Sequence, residues 1–308
     1  DKAEGERIMF LDSDDWIDPD WLELMNAALD NSPGAVAAYC GCYRVMKDGR
    51  KHLMFLDREI ADDPFRAMAR SCAVSIHTVL LDRKELDIVG RFDTSLVTTE
   101  DWDLWQRFSR RGGRWVLVDK YISYYRTGHS SLSQRVDSIM EQGELVLRRG
   151  FAADPRVPDP DPKNANGTSE NVPNEFVNRI GALSMYCLSS YVGTFSNLDG
   201  AAKLVRPIPE ERSSGVWLPD VFIEGYAQGA GIAAENLAQY WPSVGPHLDM
   251  LLKLINEQWR DDAAIQKVRQ RTVDFVAEKF QGPGTTMLEG KFLAGVDLRN
   301  LQRIEAPQ

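Results

Sequence analysis

The chain changes its hydrophobic rhythm several times, and each change marks an element. Residues 7–12 (RIMFLD) form a short apolar run that ends in acidic side chains, the pattern of a buried parallel strand opening into a site at its C-terminal end. Asp18 followed by Pro19 offers a helix cap with proline in the first turn, and Trp21, Leu22, Leu24, Met25, Ala28 and Leu29 carry a helical stripe ending near Pro33 and Gly34. Residues 35–46 and 51–56 read as two strands, and Asp48-Gly49 between them suits a tight hairpin. A short helix over 65–71, a buried strand over 74–81 (VSIHTVLL) and a helical turn over 83–89 closed by Gly90 follow. Thr99 is placed to cap a helix over 100–111, which ends on Arg110, Arg111, Gly112 and Gly113, cations and glycine being favoured at helix ends. Strands over 114–118 and 122–126 and a helix over 134–149 complete an α/β layout with a mixed sheet.

The rhythm then breaks. Residues 152–175 contain Pro155, Pro158, Pro160, Pro162 and Pro173 among Asn and Asp, the composition of a linker or long surface loop. Beyond it the spacing predicts helices over 176–191, 221–241, 248–259 and 263–280, interrupted by the Pro-rich stretch 206–219. The expected division is therefore an α/β region over 1–150, a linker over 151–175 and a mostly helical extension over 176–308. A chain of 308 residues is long enough for two such cores, at roughly 150 residues per domain.

Composition removes several classes of function. The balance of 36 basic against 46 acidic residues gives −10, and residues 1–133 and 134–308 each carry 18 basic and 23 acidic side chains. Such an even acidic surface repels a phosphate backbone, so no nucleic-acid partner is expected. The most apolar stretch, 181–195, is interrupted by Ser184, Ser189 and Ser190 and is shorter than the roughly 20 residues a membrane span needs. No integral membrane segment is expected, which leaves peripheral association open. Cys40, Cys42, Cys72 and Cys187 have neither disulfide-framework nor zinc spacing and read as free thiols, which, with no apolar signal segment at the start, points to the cytoplasm.

Three segments could carry chemistry. Asp12, Ser13, Asp14 and Asp15 stand at a strand end, where carboxylates two positions apart on an irregular loop can converge on one hard cation such as Mg²⁺ or Mn²⁺. The bland alternative is a capping loop. Glu100, Asp101 and Asp103 crowd a helix N-terminus, where the helix dipole alone favours acidic side chains, yet a carboxylate there can also act as a general base. In Tyr124 to Ser133 (YYRTGHSSLS), Gly128 frees a turn, Arg126 can meet a phosphate and His129 is either a third metal ligand or a solvated side chain.

The order of these segments is more informative than any one of them. FLDSDDWIDPDWL, TVLLDRKELDIVGRFD, TEDWDLWQRFSRRG and YYRTGHSSLS together resemble the second half of a family 2 glycosyltransferase of the GT-A fold, across about 125 residues. The resemblance implies a Rossmann-like mixed sheet flanked by helices, lacking the N-terminal nucleotide-binding part. It implies that Asp12 and Asp14 bind the cation and the sugar-nucleotide diphosphate, with Asp15 as acidic neighbour, and that Asp101, preceded by Glu100, is the catalytic base. Arg91-Phe92-Asp93 matches a G-G-F-D segment near the acceptor with arginine replacing the second glycine. Arg126 and His129 match a segment that closes over the diphosphate, with Gly128 inserted.

By the same resemblance the reaction is a single inverting displacement, in which one carboxylate deprotonates the acceptor hydroxyl and a cation stabilises the departing diphosphate. The partners implied are a nucleotide-sugar donor and a carbohydrate, lipid-linked or protein acceptor, as in polysaccharide biosynthesis. Two other classes stand beside this one: a non-catalytic carbohydrate-binding or scaffold module on a degenerate fold, and a metal-dependent phosphoryl or nucleotidyl transferase. Residues 229–234 (GAGIAA) mimic a dinucleotide fingerprint, but they lie inside a helical pattern with no strand before them. Asn166-Gly167-Thr168 is a formal glycosylation acceptor within the linker, and Trp217, Trp241 and Trp259 read as helix-packing anchors.

Overall fold

The computed structural model describes residues 3–46, 49–54, 56–126, 135–169, 174–208, 218–232, 237 and 239–279. Six strands form one mixed sheet: β1 (Arg7–Ile8), β2 (Trp16–Ile17), β3 (Ala35–Val45), β4 (Lys51–Leu53), β5 (Val79–Asp82) and β6 (Arg114–Arg126). Their order is β1-β5-β3-β6-β2, with β4 paired to β3. Only β3 and β6 run parallel; every other pair is antiparallel. β3 alternates as a sheet buried on both faces must. Ala37 and Tyr39 point to one core, with Trp105, Phe108 and Trp115, while Ala38 and Cys40 point to the other, with Trp21, Met25 and Leu29. Helices α2 (Pro64–Arg70), α3 (Arg83–Val89) and α4 (Glu100–Arg110) cover the first face, and α1 (Trp21–Asp30) covers the second.

Several sequence expectations are corrected. The run 7–12 is no buried parallel strand: β1 is two residues long, half-buried and antiparallel to β5, because the chain turns at Asp12, where the Asp15 amide donates to its carbonyl at 3.2 Å. Asp18 does not cap α1. Its carboxylate accepts from the Tyr124 hydroxyl at 2.9 Å, and the helix begins at Trp21. Residues 76–78 form a 3-10 turn before β5. Thr99 stands at the N-cap of α4 without a side-chain cap bond. The two strands expected over 114–126 are one. Its register against β3 jumps from Cys40↔Val118 to Gly41↔Tyr121, and a Cβ at Gly41 would lie 2.7 Å from the Tyr121 ring, so only glycine fits the irregularity.

The helical part comprises α5 (Val136–Gly150), α6 (Glu175–Phe195), α7 (Leu218–Ala230), α8 (Trp241–Trp259) and α9 (Asp262–Lys279). The helix expected over 221–241 ends at Ala230, and the one expected from 248 begins at Trp241. Of the fingerprint-like glycines, Gly229 has a packing role: a Cβ there would stand 1.9 Å from the Ser190 carbonyl oxygen, and one at Gly225, a turn earlier, 2.4 Å from that of Tyr186. They let α6 and α7 touch backbone to backbone. Trp241 and Trp259 pack against the helical core, and the Trp259 indole donates to the Ile208 carbonyl.

The part of the proline-rich stretch between 152 and 164 is held down. Buried Arg110 donates from its two terminal nitrogens to the carbonyls of Arg149 at 2.6 Å, Ala152 at 2.9 Å and Asn164 at 3.0 Å, which ties the end of α5 and the loop after it to α4. Leu96, Trp102, Val146, Leu147 and Ile180 form a small core shared by α4, α5 and α6, and Arg70 on α2 pairs with buried Glu175 on α6 at 2.6 Å. Among the described residues no helix is long and apolar enough to cross a membrane.

Candidate active site

The turn after β1 exposes Asp12 and Asp14 and buries Asp15. Neither Asp12 nor Asp14 makes a side-chain hydrogen bond or ion pair with a described residue. Partial burial, then the charges of Asp15 and Asp14, hold the Asp12 carboxyl above the ordinary carboxylate range. Such mutual repulsion is what a divalent cation relieves.

Asp15 points the other way. One carboxylate oxygen accepts the Arg126 amide at 2.8 Å, and the other lies 3.0 Å from Nδ1 of His77, which is fully buried. The three acidic side chains therefore do not converge. Among the described residues no cluster of three His, Cys, Asp or Glu is set to hold a metal, and His129 lies outside the described residues. Asp12 and Asp14 supply two hard oxygen donors, which fits Mg²⁺ or Mn²⁺, cations that keep several waters and accept substrate phosphate oxygens.

Across from this turn stands the N-terminus of α4. Burial, then the charge of Glu100, push the Asp101 carboxyl up to about 7, and the charge of Asp12 adds to the shift. Glu100 is raised as well, by burial and again by Asp12. The charge of Asp12 acts on both, so the turn and the helix end lie within electrostatic reach of each other. The Trp102 amide donates to the Asp101 carboxylate at 2.7 Å, and the Trp102 indole is tied to the Met68 carbonyl at 2.6 Å. A carboxyl poised near neutrality, beside two acidic neighbours, has the character of a general base. Exposed Cys72 lies within reach of the charges of Asp101 and Glu100.

Asp103, the third carboxylate of the segment, has a different task. It is fully buried and pairs with Arg107 at 2.8 Å, Arg149 at 2.7 Å and Arg156 at 2.8 Å. Arg149 and Arg156 also reach Asp93 at 3.3 and 3.1 Å. Hydrogen bonds from Ser95, aided by those arginines, hold the Asp93 carboxyl below its ordinary range. The Arg91 carbonyl accepts from Arg107 at 2.7 Å, so residues 91–95 are fixed to α4 by charge. Arg126 caps the other side: its guanidinium donates to the Asp14 carbonyl at 3.0 Å and lies over the Trp16 ring at 5.1 Å. Two surface clefts of ≈ 340 and ≈ 300 Å³, one along Asp249 and Arg269 and one along Asp63 and Asp161, lie away from these carboxylates and carry no comparable chemistry.

Residues 7–144 match the family model described as "Glycosyl transferase family group 2". The match supports a family 2 glycosyltransferase domain over these residues. The mixed sheet and its helices are accordingly a GT-A-like α/β fold, followed by the helical C-terminal region. No curated protein matches the chain. Within the glycosyltransferase domain, sequence reasoning missed His77 and the charge network of Asp103. A histidine inside the otherwise apolar run VSIHTVLL was the available signal, since a buried imidazole needs partners.

Proposed function

We propose that the chain transfers a sugar from a nucleotide-sugar donor to an acceptor hydroxyl, with inversion, using Asp12 and Asp14 to hold Mg²⁺ or Mn²⁺ and Asp101 as the base. The observation that carries this reading is Asp101 at the start of α4, a carboxyl poised near neutrality within electrostatic reach of Asp12. The cation, when bound, supplies positive charge against the leaving diphosphate. Asp101 takes the proton of the acceptor hydroxyl as the new bond forms. Glu100 keeps that proton acceptor basic by its charge. Arg126, oriented by the Asp14 carbonyl and Trp16, offers a guanidinium to the diphosphate.

Residues 1–150 would carry this chemistry, with 176–308 as a helical extension joined through 151–175. The acceptor would be a carbohydrate, a lipid-linked sugar or a protein hydroxyl. The four free thiols support a reducing, cytoplasmic setting. Titrating UDP and GDP into the protein by calorimetry, with Mn²⁺ or with EDTA, tests the binding half. The expected result is cation-dependent binding, weakened about tenfold or more in Asp12→Asn and Asp14→Asn by loss of a charged ligand. Binding that is indifferent to the cation overturns the assignment of Asp12 and Asp14, and no binding of either nucleotide favours the non-catalytic module.

A further inference from the structure

The 3-10 turn Ile76–Thr78 places His77 beneath the loop that carries Asp12 and Asp14, with no exposed surface. Its ring has two polar neighbours. Nδ1 stands 3.0 Å from Asp15 Oδ2, and Nε2 stands 3.3 Å from the Cys42 thiol. The ring lies parallel to that of Tyr125 on β6, at an interplanar angle of 5°. The Ser123 hydroxyl donates to the His77 carbonyl at 3.1 Å and receives the Trp21 indole N–H at 3.0 Å, which fixes the backbone on both sides of the sheet. Among the described residues neither His77 Nδ1 nor Asp15 Oδ2 has a hydrogen-bond partner, and their 3.0 Å approach to each other is the contact that offsets the burial of both.

Cys42, His77 and Asp15 form a line resembling a nucleophilic triad. It cannot serve as one: Cys42 is 4% exposed, and burial pushes its thiol up to about 12. The line leads instead to the loop. Asp15 accepts the Arg126 amide through Oδ1, and its own amide donates to the Asp12 carbonyl. One carboxylate thus ties β1's loop to the end of β6, and the imidazole is what makes its burial tolerable.

We propose that His77 is a positioning residue: acting through Asp15, it sets the conformation of the loop that presents Asp12 and Asp14. This rests on the reading that Asp12 and Asp14 hold the donor's cation, but the structural claim can fail alone. The test is hydrogen exchange at the Asp15 and Arg126 amides in the full chain, comparing the protein with His77→Phe and His77→Asn. Phenylalanine keeps the bulk and loses the donor, whereas the asparagine amide places an N–H where Nδ1 stands. Exchange at these two amides should accelerate about tenfold or more in His77→Phe, as expected for loss of a buried partner, and return near the wild-type rate in His77→Asn. Amides of β3 and β5 should keep their protection in both. Unchanged loop exchange in His77→Phe overturns the proposal, and so does equal acceleration throughout the sheet in both variants, since that marks a mere core residue. Should His77→Phe fail to fold, Asp15→Asn removes the other half of the pair and is read against the same amides. Mn²⁺ affinity, measured alongside, separates the two readings: faster loop exchange in a protein that never binds Mn²⁺ removes the metal assignment and keeps the positioning role.

Discussion

Asp101 and Glu100 are adjacent in sequence, but the structure gives them distinct properties. A base must be ionised, and a carboxyl held at about 7 is ionised only above that pH, so transfer should rise with pH through a limb near neutrality. Glu100 helps to set that limb. Its negative charge disfavours the Asp101 carboxylate, so Glu100→Gln should move the limb to lower pH while leaving its shape unchanged. A pH–rate profile of the variant checks the sign, and a limb displaced upward or unmoved refutes the coupling. The types and order of the acidic residues were readable in the chain, because strand-end and helix-start signals place them. Their partners were not. Nothing local distinguishes Asp14, exposed, from Asp15, buried on His77 sixty-two positions away, and nothing marks Asp103 as a structural anion beside Asp101.

Helix α4 carries both the proposed base and the charge network beneath it. Its first turn offers Asp101, while its buried face carries Asp103, Arg107 and Arg110 into neighbouring loops. Removing the shared carboxylate leaves three arginines without their common partner. Asp103→Ala should therefore cost about 3–5 kcal/mol, measured by urea unfolding, as expected for breaking a buried ion pair from one side. A loss no greater than that of an exposed pair would show that water already screens the network. The close crossing of α6 and α7 makes a second expectation. Gly229→Ala forces a methyl against the Ser190 carbonyl, and should lower stability by about 1–3 kcal/mol through overpacking. Helix periodicity was legible along the chain, and so were the antiparallel pairing of β3 with β4 and the stop at Gly90, while Asp48 of the expected turn lies outside the described residues. Strand ends were less so. The β6 irregularity, the brevity of β1 and the break after Ala230 depend on which strands and helices meet, and local pattern does not encode that.

At the scale of the whole molecule, the glycosyltransferase domain and the helices share a boundary with little slack. Trp102, one residue beyond the proposed base, packs with Val146, Leu147 and Ile180, and Arg70 pairs with Glu175 across the same junction. Calorimetry should accordingly give one cooperative transition, with measured and van't Hoff enthalpies in agreement; two separated transitions would show that the helices fold independently of α4. The even distribution of its −10 charge agrees with the proposal that a cation and Arg126, rather than a basic surface, supply the site's positive charge. The central claim is that Asp101 removes the acceptor proton. The most direct measurement is transfer from a panel of UDP- and GDP-sugars by full-length Asp101→Asn beside the wild type, with donor binding followed in parallel. A fall of about 100-fold or more in kcat with donor affinity retained is the predicted result, and transfer at the wild-type rate would contradict it.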